Sequence, residues 1–228
     1  MGISERSRRL IEEMNRYYEA RASWHDRYMS YESNAAMEEL LAPIVAVCEP
    51  LIRGKAVLEI ACGTGNWTQV LAKRAQSVAA VDISPASLAI ARTKLSAYSN
   101  VSLIQADAYA LGDVGGPFDV VIAVDWWSHV PNGAIPSFVK IMMNQLRPGG
   151  KGILIDMGFQ DHFGQEPTYH DEDDNRISLR RLPDGSAYHV VKNFPGESDL
   201  KSALAGCTRN VVFQEFASLK RWLVTFDA

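Results

Sequence analysis

The sequence predicts an α/β fold, a mostly parallel sheet with helices on both faces, and three observations carry that reading. From Lys55 onward, short apolar runs alternate with helix-length segments, the pattern of parallel strands joined by crossover helices. The first run, containing Val57, Leu58 and Ile60, ends in the turn Ala61-Cys62-Gly63-Thr64-Gly65, and a helix is expected from Asn66. Nineteen residues after Gly63, at the end of the apolar run 77–82, stands Asp82. A strand that passes through tight glycines into a helix brings backbone N–H groups close to a ligand. An acid at the end of the next strand can accept hydrogen bonds from both hydroxyls of a ribose. Together they predict a ligand that carries a nucleoside.

Ahead of this unit, residues 3–22 place Ile3, Leu10, Ile11, Met14, Tyr17 and Tyr18 at roughly helical spacing. A second helix is expected over 35–52, bent or interrupted near Pro43 and closed by Arg53-Gly54. Tyr17, Tyr18, Trp24, Tyr28 and Tyr31 fall within fifteen residues and as a group read as a lid, while any single one also suits packing on the sheet. Strands are expected at 56–61, 77–82, 101–106, 118–124 and 151–156. Ser84 is an N-cap candidate, with Pro85 at the first helical position behind it. The helix after the fourth strand should span 132–146 and stop at Arg147-Pro148-Gly149-Gly150. Residues 177–182 and 187–192 flank Pro183-Asp184-Gly185-Ser186, which predicts a β-hairpin. A short helix near 197–205 and two further strands follow.

A chain of 228 residues can bury one sizeable core, so one domain is expected. Its parts would be a helical lid (1–54), a nucleotide-binding core (55–157), a cap or hairpin insertion (158–195), and a C-terminal helix with a strand pair (196–228). No apolar run has the length of a membrane span and no signal-peptide core opens the chain, which predicts a cytoplasmic protein without a membrane partner. Cys48, Cys62 and Cys207 are odd in number and lack metal spacing, as expected of free thiols. A formal net charge of −4 offers no general attraction to a phosphate backbone and argues against nucleic acid.

Glycine spacing alone does not choose the ligand. The third glycine of the dinucleotide fingerprint, which permits close helix packing beside a pyrophosphate, is replaced by Thr68 next to the bulky Trp67. That disfavours NAD and FAD. With the acid Glu59 inside it, the stretch resembles motif I of the class I S-adenosylmethionine (SAM) methyltransferases, departing from it at the first glycine, here Ala61. The resemblance covers about 55–157. It implies a Rossmann-like, seven-stranded, mostly parallel sheet with an antiparallel C-terminal strand, an N-terminal helical lid and a small extra hairpin. SAM would be the cofactor and S-adenosylhomocysteine (SAH) the product. The resemblance assigns Gly63 and Gly65 to the turn beneath the methionine portion, and the Ala61 carbonyl to its amino group. Asp82 would hold the ribose, Ile83 would lie against the adenine, and Asp107 and Ala108 would read it. Asp125 and Trp126 would border the methionine end and the sulfonium. Leu146 to Gly150 matches a segment common in the family.

Catalytic groups are expected after the fourth strand, at the carboxyl edge of the sheet, where the chain reads Asp125-Trp126-Trp127-Ser128-His129-Val130-Pro131. His129 is the candidate general base, since an imidazole suits proton removal near neutral pH; its other reading is a cap or packing residue of the next helix. In the similar phosphoethanolamine methyltransferases a histidine at this place works with an N-terminal tyrosine. Tyr17 or Tyr18 could echo that; Tyr18 is taken as the catalytic partner and Tyr17 as a cofactor contact. Trp24, Tyr28 and Trp127 are candidate substrate contacts, with one of Trp126 and Trp127 expected to face the core. Asp171-Glu172-Asp173-Asp174 beside His170 reads as a solvated loop, because contiguous carboxylates rarely converge on one ion, and no metal is expected. The motifs of amino-methylating nucleic-acid enzymes, C5-pyrimidine enzymes and protein arginine methyltransferases are absent. A small acceptor methylated on oxygen or nitrogen, by a monomer or homodimer, is the resulting expectation. A non-catalytic SAM-binding protein and a NAD-dependent dehydrogenase are the alternatives.

Overall fold

The computed structural model describes residues 3–24, 33–160 and 168–228. Five strands run parallel: β1 (Ala56–Ile60), β2 (Ser77–Asp82), β3 (Val101–Gln105), β4 (Phe118–Val124) and β5 (Leu146–Met157). β6 (Thr168–His170), β7 (Arg176–Arg181) and β8 (Ala187–Val191) form a separate antiparallel sheet. β9 (Arg209–Phe216) and β10 (Arg221–Asp227) return to the first sheet, whose order is β3-β2-β1-β4-β5-β10-β9. β10 is antiparallel to both its neighbours. The helices are α1 (Glu5–Arg21), α2 (Asn34–Leu40), α3 (Ala42–Ile52), α4 (Asn66–Ala72), α5 (Pro85–Lys94), α6 (Ile135–Gln145) and α7 (Glu197–Leu204).

Side chains that alternate along a strand sort into two cores. Val57, Val120, Ile122, Ile153 and Leu223 pack with α2, α3 and α4 through Met37, Ile44, Cys48 and Leu71. Leu58, Val121, Leu154, Val224 and Phe226 point the other way, onto Ile11 and Met14 of α1, Phe138 and Met142 of α6, and Leu200 and Leu204 of α7. Ile177, Val190 and Val191 join this second core, so the small sheet and α1 together roof the carboxyl edge of the large one. Gly152 is needed opposite Phe226: a Cβ there would lie 2.0 Å from the ring.

The seven-stranded, mostly parallel sheet with its antiparallel C-terminal strand agrees with the expectation, and three local differences have physical causes. The helix expected over 35–52 is two helices broken at Leu41, with Pro43 in the first turn of α3, where a missing N–H costs nothing. The helix expected over 132–146 is a 3₁₀ turn followed by α6, and β5 begins at Leu146 instead of 151. Leu146 pairs with Phe118 before the register shifts, and Gly149 with φ 75° absorbs that irregularity. The expected hairpin gains a third strand, β6, through pairing of Thr168 to His170 with Arg176 to Ser178.

Candidate active site

The turn after β1 folds as its sequence requires. Gly63 has φ 55° and Gly65 has φ 81°, conformations that glycine adopts without strain. A Cβ on Gly63 would meet nothing within 4 Å, so this glycine faces the open cleft. A Cβ on Gly65 would lie 3.0 Å from Leu95 and 3.1 Å from Ala91; this glycine serves the packing of α4 against α5 and does not line the cleft. Ala61 carries φ 58°, the left-handed region that costs an L-residue about 1–2 kcal/mol. Ala61→Gly is therefore expected to stabilise the fold by about 0.5 kcal/mol, after the glycine's greater unfolded-state freedom is subtracted. A rise in denaturant midpoint without a change of slope is the check.

Asp82 at the end of β2 accepts hydrogen bonds from the Gly63 N–H at 2.8 Å and the Ser84 N–H at 2.9 Å. It thereby ties the motif turn to the following loop and directs a carboxylate into the cleft, which Ile83 also lines. Asp107 accepts from the Tyr109 N–H at 2.8 Å, and Asp107 and Ala108 line the same cleft. Trp126 lines it as well, packs near Tyr109 and Phe138, and has a buried Nε1–H without an acceptor among the described residues.

Glu59 is 2% exposed on the cleft wall and accepts a hydrogen bond from Thr68 Oγ1 at 2.6 Å. Burial pushes its carboxyl up to about 8, with Asp82 adding to the shift and the Thr68 hydrogen bond opposing it. A raised carboxyl favours the folded state fully below its ordinary value of 4.5, and that contribution disappears as pH rises through about 8. Glu59→Gln copies the protonated acid. Its melting temperature should match the native protein's near about pH 5 and exceed it near about pH 9. A difference independent of pH would remove this account.

Asp125, at φ 53°, follows β4 and forms a two-point ion pair with Arg221 at 2.5 and 3.2 Å. Its carboxylate is thus engaged by an arginine from β10. Asp125 also lines the cleft, the position expected of a residue at the ligand's methionine end.

The other end of the cleft is built on His129. Its Nδ1 lies 2.7 Å from the Val191 carbonyl, which fixes the proton on Nδ1. Nε2 is then the acceptor for the Tyr18 O–H at 2.9 Å. Burial first, then Lys192, Arg180 and Arg21, hold the His129 pKa well below its ordinary value, and only the Val191 hydrogen bond opposes them. Burial likewise raises the Tyr18 phenol, so both groups are neutral near pH 7. Behind them Lys192 donates to Ser128 Oγ at 2.7 Å and lies 3.5 Å from Asp156, which accepts from Ser128 N–H and Oγ. This buried network fixes the 3₁₀ turn Trp127–His129 against β5 and β8.

Glu59, Ala61, Gly63, Asp82, Ile83, Asp107, Ala108, Asp125, Trp126, Tyr18 and His129 thus share one cleft. Four expected contacts lie elsewhere, the first being Gly65, which serves the packing of α4 against α5. Tyr17 is 3% exposed, on the core side of α1 against Tyr188, since adjacent helical positions point about 100° apart. Trp127 is buried against Phe138, and Trp24 stands 44% exposed. Tyr28 lies outside the described residues. The structure adds Arg21, Arg180 and Lys192 to the cleft, which sequence reasoning did not single out. Among the described residues no group of three or more His, Cys, Asp or Glu is placed to hold a metal ion, and no helix is long and apolar enough to cross a membrane.

Fold and site define a Rossmann-like nucleotide-binding protein whose cleft opens at the carboxyl ends of its parallel strands. Residues 57–150 match the family model described as a methyltransferase domain. The chain is 30% identical over 120 residues to a demethylmenaquinone methyltransferase of Bacillus licheniformis, covering 51% of each. It is 33% identical over 105 residues to a ubiquinone biosynthesis O-methyltransferase of Pseudomonas paraeruginosa, covering 45% of this chain and 44% of that one. The match spans about half the length of these curated relatives. A structure of DhpI with SAH aligns over 95% of this chain and 96% of DhpI, with TM-score 0.76 and 26% identity. A complex of DhpI with SAM and HEP aligns equally well, at 27% identity. Residues 57–150 are thus similar to a methyltransferase domain, and the chain shares its fold with DhpI solved with SAH.

Proposed function

We propose that this protein transfers a methyl group from SAM to an oxygen or nitrogen of a small acceptor, with His129 and Tyr18 positioned to handle the acceptor's proton. The observation that carries the reading is one cleft with the Asp82-anchored turn at one end and the Tyr18–His129 pair at the other. Three features fit an adenosyl ligand: space above Gly63 that a side chain would fill, carboxylates at the ends of β2 and β3, and the orphaned Trp126 donor. SAM when bound supplies a methyl group on a sulfonium, a leaving group that needs little acid or base assistance.

The chain's own residues then have three tasks. The turn and Asp82 orient the donor; α1 and the small sheet exclude water; the roofed cleft holds the acceptor in line, where alignment is worth several kcal/mol. His129 Nε2 is the lone pair within reach of an acceptor proton, directly or after Tyr18 turns aside. The relatives that act on quinone precursors and the DhpI complexes support small acceptors in general. Incubating the protein with isotopically labelled SAM and metabolite extracts, then identifying the labelled product by mass, tests the reading. A small labelled metabolite is expected. SAH binding without any labelled product would reduce the protein to a SAM-binding one.

A further inference from the structure

One run of hydrogen bonds joins the two ends of the cleft by way of α1. Asp82 accepts from the Gly63 N–H at 2.8 Å and the Ser84 N–H at 2.9 Å. Ser84 is buried, and its Oγ accepts from the Ser87 N–H at 3.0 Å, which caps α5. The Ser84 hydroxyl itself donates to Glu19 Oε2 at 2.5 Å, and the Ala86 N–H donates to the same oxygen at 3.3 Å. A carboxylate suits this place, the first turn of a helix, where backbone N–H groups lack partners. Glu19 therefore holds the last turn of α1 to the loop that leaves β2. Tyr18 is the next residue back, and its O–H meets His129 Nε2 at 2.9 Å. Nearer its middle, α1 is tied to the small sheet by Glu13, which accepts from the His189 N–H at 2.7 Å. The Glu13 tie reaches the roof of the cleft; the Glu19 tie reaches the loop behind Asp82.

We propose that Glu19 is a positioning residue, coupling a cofactor held at Asp82 to the placement of Tyr18 against His129. The inference rests on the methyltransferase reading of the same cleft. A ligand that engages the Asp82 carboxylate steadies the loop 82–86, and that loop grips Glu19 through two hydrogen bonds. Fixing Glu19 fixes the rotation of a rigid helix, and with it the direction of Tyr18, one residue and about 100° away. Hydrogen-bond networks and rigid elements are the physical carriers of coupling between sites. The coupling is reciprocal, so an acceptor that orders Tyr18 tightens the cofactor in turn. Cofactor binding would then complete the wall against which the acceptor is placed.

Amide hydrogen exchange of the full chain, with and without SAH, tests this, alongside calorimetry of SAH binding. In the native protein SAH should slow exchange over 14–21 by about tenfold, besides protecting the turn 61–65. Glu19 is exposed, so its replacement leaves the core intact. Glu19→Ala should bind SAH within about tenfold of the native affinity and still protect 61–65, while the effect of SAH on 14–21 falls below about twofold. Glu19→Gln keeps an acceptor oxygen for the Ser84 hydroxyl and should recover part of that effect. A residue that merely anchors α1 would loosen 14–21 equally with and without SAH, and that result would overturn the proposal. So would SAH binding that leaves 14–21 unchanged in the native protein, or full protection of 14–21 in Glu19→Ala, which would mean direct contact with α1. SAH failing to bind the native protein would overturn the methyltransferase reading, and this coupling with it.

Discussion

Replacing His129 by alanine is expected to lower methyl transfer by about 10²–10⁴-fold while leaving SAH affinity within about threefold. The ring is held by two contacts that define its state: Nδ1–H to the Val191 carbonyl at 2.7 Å, and Nε2 facing the Tyr18 hydroxyl at 2.9 Å. Burial and three nearby cations disfavour its protonation, so the ring stays neutral well below its ordinary titration range. Activity in the native protein should accordingly persist below about pH 6.5 and fail only at more acid pH. The depressed pKa also makes the folded state lose stability as pH falls through the ordinary range, because only the unfolded chain gains protons there. Rates of product labelling and SAH titrations on the same samples give both quantities. Equal losses in turnover and SAH affinity would make His129 a structural residue.

Asp82→Ala is expected to weaken SAH binding by about a hundredfold or more, near 3 kcal/mol. An ionised carboxylate offers about four acceptor positions, so holding the Gly63 and Ser84 amides is compatible with accepting ribose hydroxyls as well. The substitution removes both the ligand contacts and the tether that shapes the motif turn. Asp82→Asn retains one acceptor oxygen and should fall between the two. Calorimetric SAH affinity with a melting curve for each variant separates the two roles. An unchanged affinity in Asp82→Ala would mean that the ribose is held elsewhere.

Much of the cleft end built on the glycine turn was legible in the chain. A buried strand, a turn that demands left-handed residues and an acid closing the next strand are local consequences of sequence, so 57–65 and Asp82 sit where spacing puts them. The end built on His129 was legible only in part. His129 and Tyr18 stood out by chemistry, but residues 111 positions apart meet only because α1 folds back over the sheet. Choosing Tyr18 over Tyr17 needs the rotation of α1, and choosing Trp126 over Trp127 needs the 3₁₀ turn after β4, which turns Trp127 onto Phe138.

The sequence by itself determined the parallel α/β core, the glycine turn, its acidic partner and the location of reactive groups after β4, because hydrophobic period and backbone conformation act over a few neighbouring residues. Only the tertiary structure decided which charges gather in and around the cleft. Arg21, Arg180, Lys192 and Arg221 come from a helix end, a small sheet and the last strand, and no periodicity in the chain encodes their convergence. It arises from the packing of three separate elements over one sheet edge, where burial gives each charge its weight.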